Sequence, residues 1–578
     1  MQESRIRMAV NDLFKKKEAS RTVELDTPWS GQPDIPWNEY PRPQFRRDSF
    51  FCLNGPWRFA VNGTEAGEIL VPYPPESKLS GAPTPQPGDQ LTYEREFSLP
   101  DGFRKDRVLL HFGAVDQECT VYLNDIELGS HVGGYLPFSF DVTAHLQETN
   151  TLRVIAFDPL DTDLPYGKQK QDRGGMWYTP VSGIWQSVWL ECVPFNDIGS
   201  LQIEALDNYG VQIRIQPAQD GVVIVEGLGE FPMKKGMAVI QPKNPHLWTP
   251  EDPYLYNFMV ITETDRVDSY FALRSITMGK VKGIPRLLLN GEPYFFHGLL
   301  DQGYWPDGIY TPASPDCYRE DILAMKKLGF NTLRKHIKVE PEEFYYQCDK
   351  LGMIVFQDMV NNSDYSFKRD TVMPTLGIQK LNDKKLHPDE DSRAMFRKTM
   401  EETVLQLGNH PCILYWTIFN EGWGQFDSED AYDSLCALDP ARIIDSTSGW
   451  FRGKCTDVES LHIYFGPWTK VKKTKKPLVL SEFGGYACPV EGHIFNPDKA
   501  YGYKSCKSLE DFRASVEKLY RKKVLPKVKK GLCAAIITQV SDVEDEINGF
   551  LTYDRKVCKA DEKAMQSIAA DLQAAIEQ

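Results

Sequence analysis

Three kinds of segment are missing from the sequence. No stretch of the 578 residues approaches the roughly 18–20 apolar residues that a membrane-spanning helix requires. The first twenty residues, MQESRIRMAVNDLFKKKEAS, lack the apolar core of a secretory signal peptide. The twelve cysteines include no Cys-x-x-Cys pair and no metal-type spacing. We therefore expect reduced, mostly buried thiols and a soluble, cytoplasmic protein.

Positive charge is also scarce. The chain has 66 lysines and arginines against 81 acidic residues, which gives a net charge of −15. This balance argues against nucleic acid or an anionic membrane as the main partner. The main local exception is the run KVKKTKKP at 470–477, which we expect to be a solvated face, with an anion-binding patch as the alternative.

Helix signals are few in the first half of the chain, which predicts two β-rich domains. Runs such as NTLRVIAFDP and GIWQSVWLECVP are rich in β-branched and aromatic residues, which favour strands. A shorter β-block follows at about 196–277. We expect one β-sandwich within residues 1–195, after a polar N-terminal extension, and a smaller one within 196–277.

From about residue 278 the pattern changes to alternating strands and helices. SPDCYREDILAMKKLGF predicts a helix with Ser314 as N-cap and Pro315 at its first position, and PEEFYYQCDKLG predicts one from Pro341 to Gly352. The predicted strands are PYFFHG, NTLRKH, MIVFQD, CILYWTIFNE, RIIDS, LHIYF, PLVLSEFGG and CAAIITQV. Eight such strands predict a (β/α)₈ barrel over 278–578. A doubly wound open sheet is the alternative, but no strand is followed by G-x-G-x-x-G.

Two glutamates end predicted barrel strands. Glu421, in FNEGWG, lies just past the fourth strand, and Glu482, in SEFGG, lies just past the seventh. The carboxyl ends of barrel strands form the pocket, and strands four and seven face each other across it. Such a pair suits glycosidic bond cleavage, where one carboxyl protonates the leaving oxygen and the other attacks the anomeric carbon. Taken singly, either glutamate is better explained as a surface group at a strand end, and only the pair at these two strands favours catalysis.

Five segments, in order along the chain, resemble glycoside hydrolase family 2. They are YPRPQFRRDSFFCLNGPWRF, DRGGMWYTPVSGIWQSVWLE, FFHGLLDQGYWPDGIYTPAS, FNEGWG and SEFGG. The resemblance implies a jelly-roll β-sandwich, an immunoglobulin-like β-sandwich and a catalytic (β/α)₈ barrel, in that order. It also implies a retaining exo-glycosidase that works through a covalent glycosyl-enzyme and needs no cofactor.

The same resemblance assigns roles to residues that match the family's motifs. Glu421 would be the general acid/base, and Asn420 would bond the sugar 2-hydroxyl. Glu482 would be the nucleophile, kept ionised by Arg334 and bonded by Tyr464. Further substrate-binding candidates are His336, Trp423, Trp450, His462, Asp301, Trp305, Gln539 and Asp542. For these residues core packing is the alternative, and DVEDE at 542–546 could be a solvated acidic loop.

The sequence indicates the type of reaction more clearly than it indicates which sugar is the substrate. A β-galactosidase-like specificity is favoured, with α-L-arabinosides, β-mannosides and β-glucuronides as alternatives. The family's β-glucuronidases grip the sugar carboxylate with an Asn-x-Lys after strand eight, whereas here the only Asn-x-Lys is Asn382–Lys384, before strand four. Outside the enzymes, the alternative is a non-catalytic carbohydrate-binding protein.

The remaining expectations concern partners and loops. The large β-galactosidases of the family carry two further domains after the barrel, which this sequence does not include. Their metal-supporting residues are therefore not assigned to positions of this chain, and we expect that no metal is required. The expected partner is a carbohydrate, and the sequence is compatible with a homo-oligomer. The segment between strands three and four, about 360–390, is long and aperiodic, which predicts a loop that walls the pocket.

Overall fold

The computed structural model describes residues 21–577, except 32–34, 376–377, 379–381, 465–467 and 469–470. The chain forms a jelly-roll β-sandwich, an immunoglobulin-like β-sandwich and an eight-stranded parallel barrel, which confirms the predicted fold class. The predicted domain limits, 1–195, 196–277 and 278–578, stay predictions, and the N-terminal twenty residues lie outside the described part.

The first sandwich consists of antiparallel sheets whose strands bury alternate residues. Along Asn150–Phe157, for example, Leu152, Val154 and Ala156 are buried while their neighbours are not, because successive side chains point to opposite faces. The sheet orders are β3-β2-β4-β10-β7-β8, β1-β12-β5-β9 and β11-β6. The strands are β1 Phe51–Cys52, β2 Gly55–Val61, β3 Thr64–Val71, β4 Gln90–Phe97, β5 Arg107–Phe112, β6 Val115–Asp116, β7 Glu118–Leu123, β8 Ile126–Val132, β9 Phe138–Asp141, β10 Asn150–Phe157, β11 Gly183–Ile184 and β12 Val188–Val193.

The second sandwich is smaller and has its own apolar core, which includes Ile213, Val223 and Val260. Its sheets run β13-β14-β17 and β16-β15-β18-β19, and a three-stranded sheet, β20-β21-β22, leads into the barrel. The strands are β13 Ser200–Leu206, β14 Gly210–Gln216, β15 Gly221–Val225, β16 Gly229–Met233, β17 Met237–Ile240, β18 Tyr256–Thr262, β19 Arg266–Phe271, β20 Ile276–Val281, β21 Ile284–Leu289 and β22 Glu292–Pro293.

The barrel strands pair in the order β27-β26-β25-β24-β23-β32-β29-β28, and every pairing between them is parallel. Along the chain, β23 is the first barrel strand and β32 is the last. Because these two strands pair with each other, the doubly wound alternative is wrong. The barrel strands are β23 Phe296–Asp301, β24 Thr332–Lys335, β25 Ile354–Asp358, β26 Ile413–Asn420, β27 Ile443–Ser448, β28 Glu459–Ile463, β29 Leu478–Gly484 and β32 Leu532–Thr538, and β30 Tyr486–Ala487 pairs with β31 Lys504–Ser505 outside them.

The helices surround the barrel and follow the predicted signals with two corrections. The first helix begins at Asp316 with Pro315 at the N-cap position, one residue later than predicted, and Ser314 lies outside it. The sequence predicts that the helix before β26 buries Met395, Met400, Val404 and Leu407. The last three are buried, but Phe396 is buried in place of Met395, which is only partly so. The α-helices are α1 Asp316–Lys327, α2 Glu342–Leu351, α3 Met373–Thr375, α4 Glu390–Leu407, α5 Ser428–Leu438, α6 Leu509–Leu519, α7 Leu525–Val528 and α8 Glu562–Ile576.

Two surface features complete the fold. None of the helices in the described ranges is long and apolar enough to cross a membrane. In the lysine-rich run, Lys472, Lys473 and Lys475 are exposed, as expected of a solvated face, while Lys470 lies outside the described residues.

Candidate active site

Glu421 follows the fourth barrel strand in a turn that glycines make possible. Its backbone φ of 51° is left-handed, as are those of Gly422 and Gly424. A Cβ on Gly422 would lie 2.4 Å from the Phe451 ring, and one on Gly424 would lie 2.3 Å from the backbone oxygen of Asn362. The sequence EGWG therefore allows a tight turn that larger residues would prevent, and this turn holds Glu421 at the barrel mouth.

Glu482 lies in the seventh barrel strand and accepts two hydrogen bonds. Arg334 Nη1 donates to Oε1 at 3.0 Å, and the Tyr464 hydroxyl donates to Oε2 at 2.5 Å. Burial alone raises the pKa of this carboxyl, but His462 and Arg334 outweigh burial and lower the pKa to about 2. Glu482 is thus ionised at neutral pH, the state that a nucleophile requires.

Glu421 has the opposite tendency. Burial raises the pKa of Glu421 above its usual range, and the charge of Glu482 adds to the rise, while the hydrogen bond with His462 opposes it. The side chains of Glu421 and Glu482 are only 10% and 5% exposed. The site therefore holds the predicted pair, one carboxyl that tends to keep its proton beside one that is ionised.

His462 bridges the two glutamates. Its Nδ1 lies 2.7 Å from Glu421 Oε1 and its Nε2 lies 3.6 Å from Glu482 Oε1. Ser448 Oγ lies 3.0 Å from Nε2 and the Arg334 guanidinium lies 3.5 Å from it, so both ring nitrogens of His462 have polar partners. A Cβ on Gly449 would lie 2.5 Å from the His462 ring, so this position must be glycine for the ring to sit where it does.

The spacing of these groups bears on the mechanism. One oxygen of each glutamate and one ring nitrogen of His462 all lie within 4.8 Å of one another. Carboxyl groups about 5–5.5 Å apart accompany covalent catalysis in glycosidases, whereas about 6.5–9.5 Å leaves room for an attacking water. The 4.8 Å limit refers to one oxygen of each glutamate and not to the separation of the two carboxyl groups, so the covalent route stays a prediction. By spacing alone the three groups could hold a cation, so the absence of a required metal stays a prediction.

Arg334 orders the floor of the pocket and is almost fully buried. Its Nε donates to Asp358 Oδ1 at 2.9 Å, and its Nη2 donates to Asn420 Oδ1 at 2.9 Å. Because Arg334 occupies the amide oxygen, the Nδ2 group of Asn420 is left as a donor, which is what a sugar 2-hydroxyl would need. His336 Nδ1 lies 2.8 Å from Asp358 Oδ2, and burial lowers the pKa of His336 to about 4.

An aromatic wall forms one side of the mouth. Trp423 stacks on Trp177 of the jelly-roll domain, with ring centroids 5.2 Å apart, and Tyr365 meets Trp423 edge-on at 5.6 Å. Trp423 is buried, whereas Trp450 is half-buried with its ring centroid 6.5 Å from that of His462. Trp450 is therefore the better placed of the two predicted tryptophans to stack on a sugar.

The other four predicted substrate-binding residues make contacts away from the two glutamates, and among the described residues Trp305 Nε1 and Gln539 Oε1 have no hydrogen-bond partner. Asp301 accepts an ion pair from Lys335 at 2.7 Å, and Asp542 accepts one from Lys559 at 2.6 Å. Gln539 donates to Asn548, and the buried Trp305 has the Arg555 guanidinium 3.9 Å from its ring centroid. None of these contacts involves Glu421 or Glu482, and the sugar-binding roles of these four residues stay predictions.

The mouth also contains residues that the sequence did not single out. The segment 166–181 of the jelly-roll domain crosses the barrel, where Tyr166 N–H donates to Asn361 O at 3.1 Å. It carries Trp177 and also Lys168, whose Nζ lies 5.7 Å from the Trp423 ring centroid. The only sequence signal was the motif DRGGMWYTP, which the resemblance assigned to closing strands of the sandwich.

The same segment covers the acidic loop after β32. Thr179 N–H donates to Glu544 at 2.9 Å, and the Tyr178 hydroxyl donates to Glu546 at 2.5 Å. Glu544, Asp545 and Glu546 are each at most 4% exposed. The alternative of a solvated acidic loop is therefore wrong, because the first domain supplies donors to these carboxylates that the barrel sequence alone does not reveal.

The segment between β25 and β26 is described in part. Tyr365 belongs to the aromatic wall, and Asp383 accepts hydrogen bonds from Gln425 and Ser428 at 2.9 and 2.6 Å. Lys384 of the Asn-x-Lys sequence is 59% exposed and faces Asp427 at 3.6 Å. Its role as a wall stays a prediction, and positions 376–377 and 379–381 lie outside the described residues.

Curated relatives of the chain include glycosidases that are named for different sugars. It is 26% identical to a beta-galactosidase of Thermoanaerobacter pseudethanolicus over 370 residues, which are 59% of this chain and 46% of that one. It is 24% identical to the beta-glucuronidase of Homo sapiens over 520 residues, 75% of this chain and 74% of that one. The chain spans about half the length of the Thermoanaerobacter relative and of a putative beta-glucuronidase from Formosa agariphila, 46% and 51%.

Solved structures share the fold over almost the whole chain. A beta-glucuronidase from an uncultured Clostridium sp. matches with a TM-score of 0.72 and 20% identity, covering 92% of this chain and 99% of that one. A beta-galacturonidase from Eisenbergiella tayi bound to galacturonate matches with a TM-score of 0.67 and 19% identity, over 92% and 99% of the two chains.

Family models match all three domains. "Glycosyl hydrolase 2 galactose-binding domain-like" matches residues 86–183, and "Glycosyl hydrolases family 2" matches 205–274. "Glycosyl hydrolases family 2, TIM barrel domain" matches 280–570, half of the chain, and includes both glutamates. The chain belongs to glycosyl hydrolase family 2.

Proposed function

We propose that this protein is a retaining exo-glycosidase that hydrolyses a terminal β-linked sugar by double displacement. The observation that carries the proposal is the opposite protonation tendency of two buried carboxyls whose nearest atoms lie within 4.8 Å. Glu482 attacks the anomeric carbon while protonated Glu421 gives its proton to the leaving oxygen, so one C–O bond forms as another breaks. Glu421 then removes a proton from the water that releases the sugar.

The surrounding residues support these roles. Arg334 and Tyr464 hold Glu482 ionised and fix both of its oxygens. Asn420 presents an amide donor for the 2-hydroxyl, a contact that strengthens in an oxocarbenium-like transition state. A non-catalytic carbohydrate-binding protein would have no need of a buried, charge-balanced pair, so it is the weaker candidate.

The identity of the sugar is the open part of the proposal. The sequence favoured a β-galactoside, and one relative is named a beta-galactosidase. Other relatives are named for glucuronic or galacturonic acid. A β-linked uronic acid is therefore a second candidate, and the buried Lys168 beside the pocket favours it.

The test separates the roles of the two glutamates with azide, on a nitrophenyl glycoside whose leaving group needs little protonation. Glu482→Ala should lower kcat/KM by at least about 10⁴-fold, because nothing replaces the nucleophile. Azide should then enter the vacated space and give an α-glycosyl azide. Glu421→Ala still forms the glycosyl-enzyme, so azide should give the β-glycosyl azide.

Product stereochemistry provides an independent check. Proton NMR of the wild-type reaction should show the β-anomer as the first product, because two inversions give retention. An α-anomer as first product would contradict double displacement, and unimpaired hydrolysis by Glu482→Ala would remove the proposed nucleophile.

A further inference from the structure

Lys168 is an unusual buried cation. The residue as a whole is only 6% exposed, and the hydrogen bonds and ion pairs of the described residues include none to its Nζ, whose contacts are with the rings of Tyr178 and Trp423. The other buried lysines of the described chain are satisfied. Lys335 pairs with two carboxylates, Lys338 donates to two carbonyls and pairs with a glutamate, and Lys559 binds both oxygens of an aspartate.

The contacts that Lys168 does make are too weak to offset its burial. Its Nζ lies 5.4 Å from the Tyr178 ring centroid and 5.7 Å from that of Trp423. Cation–π contacts contribute about 0.5–2 kcal/mol each, whereas removing an ion from water costs several kcal/mol after relaxation. The fold thus keeps a charge in a costly position, and a partner absent from the protein chain itself would account for it.

The position of Lys168 identifies where that partner binds. Trp423, which its Nζ approaches, is two residues from Glu421 along the chain. The carboxylates whose charges act most strongly on Lys168 are Glu546, Glu482 and Glu421, in that order. The lysine therefore lies at the pocket that holds the two proposed catalytic groups, and the jelly-roll domain supplies it across the domain boundary.

We infer that Lys168 binds a carboxylate on the substrate, so that the pocket selects a β-linked uronic acid over the neutral hexose. This inference rests on the proposed function and names its substrate class. An ammonium gains most from an anion when both are shielded from water, whereas a neutral hydroxyl would leave the charge uncompensated. The other cation of the pocket, Arg334, is already committed to Asp358, Glu482 and Asn420.

The lysine of the Asn-x-Lys sequence is not the one that would bind a substrate carboxylate here. Lys384, in the Asn-x-Lys sequence, is 59% exposed and faces Asp427. Glu546, the carboxylate with the strongest effect on Lys168, already accepts hydrogen bonds from Tyr178 and Asn548. Lys168 is thus the buried cation of the mouth whose donors are still available among the residues that the structure describes.

The first test compares Lys168→Met with wild type on four nitrophenyl β-glycosides, namely the glucuronide, galacturonide, glucoside and galactoside. Wild type should prefer a uronide over its neutral counterpart. The variant should lose about 100-fold in kcat/KM on that uronide, equivalent to about 2.7 kcal/mol, and less than tenfold on the neutral sugar. Lys170→Met is the matched control, since Lys170 is an exposed lysine on the same segment, and it should behave as wild type.

A wild-type preference for neutral sugars, or equal losses on both classes in Lys168→Met, would overturn the inference while leaving the proposed function standing. Binding of sodium glucuronate and sodium galacturonate, measured by calorimetry, does not require turnover. If wild type bound a uronate and Lys168→Met did not, yet no glycoside were hydrolysed, the proposed function would fail and the inference would hold. If neither uronate bound to wild type, the inference would be wrong.

Stability distinguishes a binding role from a structural one. Removing an unpaired buried charge should leave the melting temperature of Lys168→Met equal to or above that of wild type. Uronate should raise the melting temperature of wild type and of Lys170→Met but not of Lys168→Met. A large drop in the melting temperature of the ligand-free variant would assign Lys168 a structural role instead.

Discussion

Replacing His462 with phenylalanine tests the pairing at the centre of the site. The substitution keeps a flat ring beside Gly449 but removes the ring nitrogen Nδ1, which lies 2.7 Å from Glu421 Oε1. A donor to a carboxylate stabilises its ionised form, so its loss raises the pKa of Glu421. The acid then keeps its proton to higher pH, and the alkaline limb of the pH–rate profile should move upwards.

The size of the shift follows from the strength of the lost hydrogen bond. Hydrogen bonds to charged groups contribute about 1.5–3 kcal/mol, and one pH unit corresponds to about 1.36 kcal/mol. The alkaline limb should therefore move up by about 1–2 pH units. His462 also lowers the pKa of Glu482, but that pKa starts at about 2, so the nucleophile should stay ionised near neutral pH.

The assay is kcat/KM against pH on a phenyl glycoside, whose poor leaving group needs protonation by Glu421. His336→Phe is the matched control, because it removes another buried histidine that bonds Asp358 rather than Glu421. The control should leave the alkaline limb in place. An unmoved or lowered alkaline limb in His462→Phe would refute the assignment of Glu421 as the titrating acid.

Three further predictions address other parts of the site. Gly449→Ala should lower kcat about 10-fold or more. Its Cβ would lie 2.5 Å from the His462 ring, and a positive φ costs non-glycine residues about 1–3 kcal/mol. Unchanged kinetics would mean that the position of the His462 ring is unimportant. For Glu482, the lowering of the pKa from 4.5 to about 2 corresponds to about 3 kcal/mol of folding stability, which is present above pH 4.5 and is lost as the pH falls towards 2. The free energy of unfolding, measured by denaturation, should therefore fall less between pH 6 and pH 3 in Glu482→Gln than in wild type. Activity should survive dialysis against EDTA, and loss restored by a divalent cation would show that a metal is required.

The two central glutamates could be predicted because strand order determines where they lie. Once eight strands alternate with helices, a residue at the end of strand four and one at the end of strand seven must reach the same mouth. The burial of Glu421 at the end of β26 then follows from a strand packed on both faces. Their protonation states depend on His462 and Arg334, which are also strand-end residues, so these too were within reach of the sequence.

Asp301 and Asp542 show where the same reasoning stops. Asp301 ends β23 and Asp542 follows β32, at the same end of the barrel as the catalytic candidates, yet each is paired with a lysine, Lys335 and Lys559 respectively. Position along a strand gives the end of the barrel but not the direction of a side chain or its ion-pair partner. A carboxylate that a neighbouring lysine neutralises and one that is left to react look alike in sequence.

Lys168 and Trp177 were missed for a different reason, which concerns the first domain. Trp177 and Trp423 are 246 positions apart, and nothing in the aperiodic segment between two sandwich strands indicates that it crosses the barrel. Yet this segment covers the acidic loop through Tyr178 and Thr179 and brings a cation to the mouth. The barrel supplies the bond-breaking groups, which one strand order can position. The groups that would distinguish one sugar from another lie on a loop of a separate domain, so they can vary without disturbing Glu421 and Glu482. That separation explains why the chemistry could be inferred from the barrel motifs while the sugar could not.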